Sequence, residues 1–169
     1  MRLIPMILLT LLTAVWPVGP PRPVVLRGWE PPPGPYAAGH RGLDLAAPPG
    51  TPVRAPAAGT VTFAGPVGGQ GVLVLTHPGT GLPPLRTTYV PVTPALPTGT
   101  RVRPGDLLGH TTPSPHCPRA CLHWGLLRGD TYLNPLLLLG AGGSRLLPVW
   151  GQGVAEHPAG VWAREAAEE

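Results

Sequence analysis

The chain has no lysine, one phenylalanine and two cysteines, and only 12% of its 169 residues are charged. All 12 basic residues are arginine, set against 8 acidic ones, for a formal charge of +4 with histidine neutral. An arginine-only bias reads as codon composition as much as function, although a positive surface is drawn to anionic polymers and membrane faces. No basic cluster with interleaved aromatics occurs, which argues against a nucleic-acid partner. Abundant instead are proline and glycine, 27 and 24 residues respectively. That content breaks helices and favours turns and short strands. At this length the expectation is one domain with a hydrophobic core, plus tails.

The N-terminus reads as an export signal. Arg2 precedes an apolar stretch from Leu3 to Val15, which matches a signal-peptide hydrophobic region and is shorter than the roughly 20 residues of a membrane-spanning helix. No Ala-x-Ala site follows, and Pro17, Pro20, Pro21 and Pro23 crowd the place where one would sit, so an uncleaved membrane anchor is the alternative for residues 1–18. Residues 19–35 are Pro-rich and are expected to be an extended linker. The domain is expected over 36–139. Beyond it, 140–169 opens on Gly140-Ala141-Gly142-Gly143-Ser144 and reads as a flexible tail, with Trp150 and Trp162 as its docking candidates.

Within the domain, short β-favouring runs cover 51–55, 59–64, 71–76, 86–92, 100–102, 106–109 and 122–127, punctuated by Gly/Pro turns such as Gly65-Pro66-Val67-Gly68-Gly69 and Pro104-Gly105. This spacing predicts an all-β fold, a single antiparallel domain of sandwich or barrel type. Two segments, from Gly50 and from Gly99, are loosely alike and suggest a repeated hairpin module.

The residues best suited to chemistry are His40 and Asp44, in Gly39-His40-Arg41-Gly42-Leu43-Asp44, and His123 in Cys121-Leu122-His123-Trp124-Gly125. Two neutral imidazoles and one carboxylate can hold Zn2+ and leave its fourth tetrahedral position open. In an extended strand His40 and Asp44 would lie about 13 Å apart, so the chain must bend between them, and Gly42 permits a bend. On a strand, Cys121 and His123 share one face, which brings a sulfur near the metal. Leu122, Trp124, Leu126 and Leu127 are expected to be packing residues.

The order Gly39-His40-x-Gly42-x-Asp44, Gly50-Thr51-Pro52-Val53-x-Ala55, Gly59-x-Val61, Gly71-x-x-Val74, Thr88-Tyr89, Val102-x-x-Gly105-Asp106-x-x-Gly109 and Leu122-His123 resembles the lysostaphin-type zinc metalloendopeptidases of peptidoglycan. The resemblance spans roughly Tyr36 to Leu126. It implies His40, Asp44 and His123 as zinc ligands, an open substrate groove, peptidoglycan peptides as substrate and a cell-envelope location. It also implies a histidine two positions after the Tyr and another opening His-x-His, helping to deprotonate water and to stabilise the oxyanion. Those positions hold Pro91 and Cys121. Loss of such a group costs on the order of 100- to 10,000-fold in rate. The expected function is therefore a zinc-dependent endopeptidase of low activity, the alternative being a degenerate domain that keeps zinc and binds wall peptide or regulates another hydrolase.

Cys121 has several readings: a disulfide with Cys117, favoured by export; a thiolate closing the zinc site; a reactive thiol replacing the lost base; or a core cysteine. So small a disulfide ring would contribute only about 2 kcal/mol. His110 and His116 precede the His123 strand and are candidate substitute bases. His77, at the end of a strand before Pro78-Gly79, is expected to be a turn residue, His157 to lie in the tail, and Asp106 and Asp130 to be turn formers.

Overall fold

A computed structural model of the chain describes residues 14–19, 22–34, 37–113 and 120–140. The expected tail, His157, His116 and Cys117 lie outside the described residues, as does most of the stretch expected to direct export. Eleven strands are found among the described residues, with one short 3-10 helix. They are β1 (Val25–Arg27), β2 (Gly42–Ala46), β3 (Pro52–Arg54), β4 (Gly59–Val67), β5 (Gln70–His77), β6 (Leu85–Val90), β7 (Val92–Pro94), β8 (Arg101–Val102), β9 (Leu107–Thr111), β10 (Cys121–Arg128) and β11 (Thr131–Leu133). The larger sheet runs β1-β2-β10-β6-β5-β4-β8, with β11 also on β10, and the smaller runs β3-β9-β7. Every pairing is antiparallel. The sheets stay open, without closing into a barrel, so the architecture is the expected antiparallel β domain of the sandwich kind.

Period-two alternation decides which face is core. Along β5, Leu73, Leu75 and His77 are buried while Val72, Val74 and Thr76 are half-buried. On β6, Thr87 and Tyr89 point inward. Trp124, Leu122, Leu43 and Leu45 from the larger sheet join Val53, Val92 and Leu108 from the smaller in one cluster. Burying each large apolar side chain contributes about 1.5–3 kcal/mol. The half-buried face of the larger sheet carries His123, Thr88 and Val74.

Several expectations change in detail. The run read as one strand over 86–92 breaks at Pro91: β6 belongs to the larger sheet and β7 to the smaller, because proline cannot donate to a ladder. β4 continues through Pro66 to Val67, and the turn reduces to Gly68-Gly69, both at positive φ, the conformation a two-residue type I′ hairpin requires. The 19–35 stretch, read as a linker, carries β1, which pairs with β2, and Trp29 packs against the core. Its prolines fit there because β1 lies at the sheet edge.

His77 is also not in a turn. It ends β5, only 1% exposed, with its Nδ1–H donating to Ala58 O at 2.8 Å and its Nε2 accepting from the Thr87 hydroxyl at 2.8 Å. The Tyr89 hydroxyl donates in turn to Thr87 Oγ1 at 2.8 Å. Burial pushes the His77 imidazole below its ordinary pKa, with the Ala58 carbonyl acting in the opposite direction. Because the unfolded chain then binds a proton near pH 6.5 that the folded chain resists, stability is full above that pH. It falls as pH drops through 6.5 toward the folded value. Melting temperatures from pH 7.5 to 5 are expected to fall more steeply for wild type than for His77→Gln; equal slopes would count against a neutral buried His77.

Candidate metal centre

His40 stands just before β2, where the chain bends at Arg41 before entering the strand. The bend expected between His40 and Asp44 is therefore present, but it falls at Arg41, while Gly42 lies within the strand. Asp44 is at the middle of β2, opposite His123 on β10 in the register of the sheet. The two strands thus put a carboxylate and an imidazole side by side, and the bend folds a second imidazole over them. His40 Nε2 lies 3.0 Å from Asp44 Oδ1 and 3.1 Å from His123 Nδ1, and His123 Nδ1 lies 2.8 Å from Asp44 Oδ1. Zinc bonds of 2.0–2.2 Å to nitrogen and oxygen in a tetrahedron put neighbouring donor atoms about 3.3 Å apart. The three donors converge to very nearly that spacing.

The hydrogen bonding of His40 sharpens the fit. Its Nδ1–H donates to Gly28 O at 2.6 Å, which leaves Nε2 as a lone pair aimed at the carboxylate and the other ring. Metal-ligating histidines are held by a second partner in this way. A proton on one ring or a metal ion between the three atoms satisfies so close a packing of electron-pair donors. Gly28 is brought there by two backbone bonds: Glu30 N–H to His40 O at 3.1 Å and His40 N–H to Glu30 O at 2.8 Å. An exposed Arg27–Glu30 ion pair spans the same turn. Sequence reading missed Gly28, since a backbone carbonyl leaves no side-chain signature.

Gly42 has a steric role. A Cβ there would sit 2.7 Å from His123 Nε2 and 2.6 Å from Trp124 O, so the absence of a side chain lets the His123 ring lie across β2. Burial completes the picture: His40 is 4% and Asp44 7% exposed, while His123 is half-buried and leaves one side of the cluster open. For Asp44, burial raises the carboxyl pKa, but the hydrogen bond to His123 and the charges of the two imidazoles outweigh it, and the net shift is downward. The group is an anion at neutral pH, as a metal ligand must be.

The remaining candidates do not join this cluster. Among the described residues, His40, Asp44 and His123 form the one group of histidine, cysteine and acidic side chains close enough to share an ion. His110 is exposed on β9, in the smaller sheet, opposite Pro52 and Thr93. Asp106 caps a turn, accepting from Arg103 N–H at 2.7 Å, and Asp130 sits in the turn between β10 and β11. Cys121 opens β10 opposite Ala46 and is buried. Pro91 is buried at the corner between β6 and β7, next to Val90, the sheet partner of His123. Beside Arg41, a pocket of about 340 Å³ is bounded by Trp29, Pro32, Asp130 and Tyr132, with the Arg41 guanidinium 5.9 Å above the Tyr132 ring.

The chain is 39% identical over 148 residues to the uncharacterized protein Rv2891 of Mycobacterium tuberculosis, covering 84% of this chain and 57% of that protein. It is 33% identical over 97 residues to the DD-carboxypeptidase/endopeptidase Mpg of Neisseria meningitidis, covering 57% of this chain and 22% of that protein. The chain thus spans little more than half the length of the mycobacterial relative. The fold matches the catalytic domain of lysostaphin from Staphylococcus simulans with a TM-score of 0.59 at 21% identity, over 70% of this chain and 92% of that one. The model of peptidase family M23 matches residues 38–135, and the chain belongs to that family of metallopeptidases.

Proposed function

We propose that this is an exported, zinc-dependent endopeptidase that cuts peptidoglycan peptides in the cell envelope, with His40, Asp44 and His123 as its metal ligands and a catalytic unit that joins β1 and Gly28 to the expected domain at 36–139. The observation that carries the reading is the convergence of three donor atoms within about 3 Å, with His40 held to one tautomer by Gly28 O. When bound, zinc supplies a Lewis acid that polarises the scissile carbonyl and acidifies water. The chain's own part is to fix the two imidazoles and the carboxylate, keep Asp44 ionised and leave the His123 side open. The Arg41 and Tyr132 pocket is lined by the residue that follows His40 in the chain and offers aromatic and charged walls to a peptide substrate. A Cys117–Cys121 disulfide is part of the same reading. It would tie the segment leading into β10 to the buried start of that strand, directly after Ala120, whose φ of 51° is the one positive value at a non-glycine among the described residues.

A second reading is favoured by Val90, Pro91 and Cys121. The resemblance to lysostaphin-type enzymes asks for proton-transfer groups at positions 91 and 121. The sheet neighbour of His123 on β6 is a valine, and none of these three is an imidazole. A domain that retains zinc and binds wall peptide without cutting it would look the same at this site. One experiment separates the two readings. The purified protein is expected to carry about one zinc per chain, and to release peptides slowly from purified peptidoglycan in a manner abolished by EDTA and restored by zinc. Stoichiometric zinc without release would support the binding domain, and protein lacking zinc after growth in zinc-replete medium would sink both.

A further inference from the structure

The apolar export segment runs to Val15, yet the fold has already begun there. Val15 N–H donates to Pro56 O at 2.9 Å and Arg54 N–H donates to Pro17 O at 2.8 Å, so residues 15–17 run antiparallel along the β3 edge. Val18 is 1% exposed within the main core. Trp16 packs its ring against Trp124 with centroids 6.2 Å apart, and the Arg22 guanidinium lies 5.2 Å from the Trp16 ring centroid. Trp124 follows His123 on β10, so this segment braces the strand that carries one of the three donors.

We propose that Val15–Val18 is the N-terminal segment of the folded mature protein, and that export processing can cut no further into the chain than the Ala14–Val15 bond. The Pro-rich stretch, where a cleavage site would ordinarily follow an apolar region ending at Val15, is thereby ruled out as the processing site. Ala14 is a small residue, the kind that leader cleavage selects. The step is hydrolysis of one amide by a leader peptidase: water adds across the bond, leaving a carboxylate on Ala14 and an amine on Val15. That new amine keeps the donor that Pro56 O accepts.

The full chain, produced in an exporting bacterium and recovered from the envelope, would be read by intact mass and N-terminal sequencing. A terminus at Val15 or upstream of it is expected; a folded product beginning at Trp16 or later would overturn the proposal. In the same full chain, Trp16→Ser with Val18→Ser is expected to lower the melting temperature by about 10 °C or to prevent folding. An unchanged melting temperature would overturn it as well.

Discussion

Replacing Asp44 by alanine is expected to strip zinc from the protein and to reduce peptide release by at least about 100-fold. Asp44 is the one anionic donor of the cluster, 2.8 Å from one imidazole and 3.0 Å from the other. Without it, two neutral rings would have to hold a divalent cation in a buried site with no charge compensation, a costly arrangement in low dielectric. Mutating outer partners of metal ligands already lowers affinity by 10- to 100-fold, and loss of a ligand itself must cost more. Asp44→Asn keeps the shape and removes the charge, so it separates the electrostatic contribution from packing. Zinc content after dialysis, competition with a chromophoric chelator and melting temperature together read the outcome. If Asp44→Ala keeps one zinc per chain and full activity, the metal is held elsewhere.

Gly42→Ala is expected to damage the same centre without touching a ligand. The added methyl would lie 2.6 Å from Trp124 O and 2.7 Å from His123 Nε2, closer than real Cβ contacts allow. Trp124 O is backbone in the middle of the larger sheet and cannot swing aside, so either β2 and β10 must part or the His123 ring must turn away from Asp44. Overpacking of this kind costs about 1–3 kcal/mol, and a displaced ligand should cost at least 10- to 100-fold in zinc affinity. Gly125→Ala is the informative comparison. Its Cβ would meet Thr88 Oγ1, a hydroxyl that can rotate to another rotamer, so its effect on zinc should be smaller. Equal zinc affinity in Gly42→Ala and wild type would mean that His123 does not need the ring position described.

How much of this was legible in the sequence differs from residue to residue. The ordered glycine and valine framework around His40, Asp44 and His123 pointed to an antiparallel β domain because turns and alternation are local signals, and the three donors do meet. What holds them was not legible. Gly28 acts through its carbonyl, and its closeness to His40 depends on how a proline-rich stretch folds back along β2, which composition alone reads as extended chain. Gly42 looked like a hinge because glycine so often is one, whereas its role comes from a ring that arrives from 81 positions later. His77 could have been recognised: Leu73, Leu75 and His77 share a period-two face, and the nearby Pro78-Gly79 drew attention away from it. The corner at Pro91 was hidden inside a run of β-favouring residues, where only the missing N–H of proline marks the place at which the chain changes sheets.

The position of β10 in the larger sheet has a consequence for the order in which the centre can come into being. β10 lies between β2 and β6, although in sequence it follows all the other strands except β11. Synthesis delivers the chain from its N-terminal end, so His40 and Asp44 emerge while the strand that should lie beside them is still to come. Until then β2 and β6 have facing open edges, which are natural sites of mispairing. The last long strand closes that gap and delivers His123 in the same movement. The donor set is therefore complete only when the sheet is, and a chain halted before β10 has neither a continuous sheet nor the cluster of His40, Asp44 and His123.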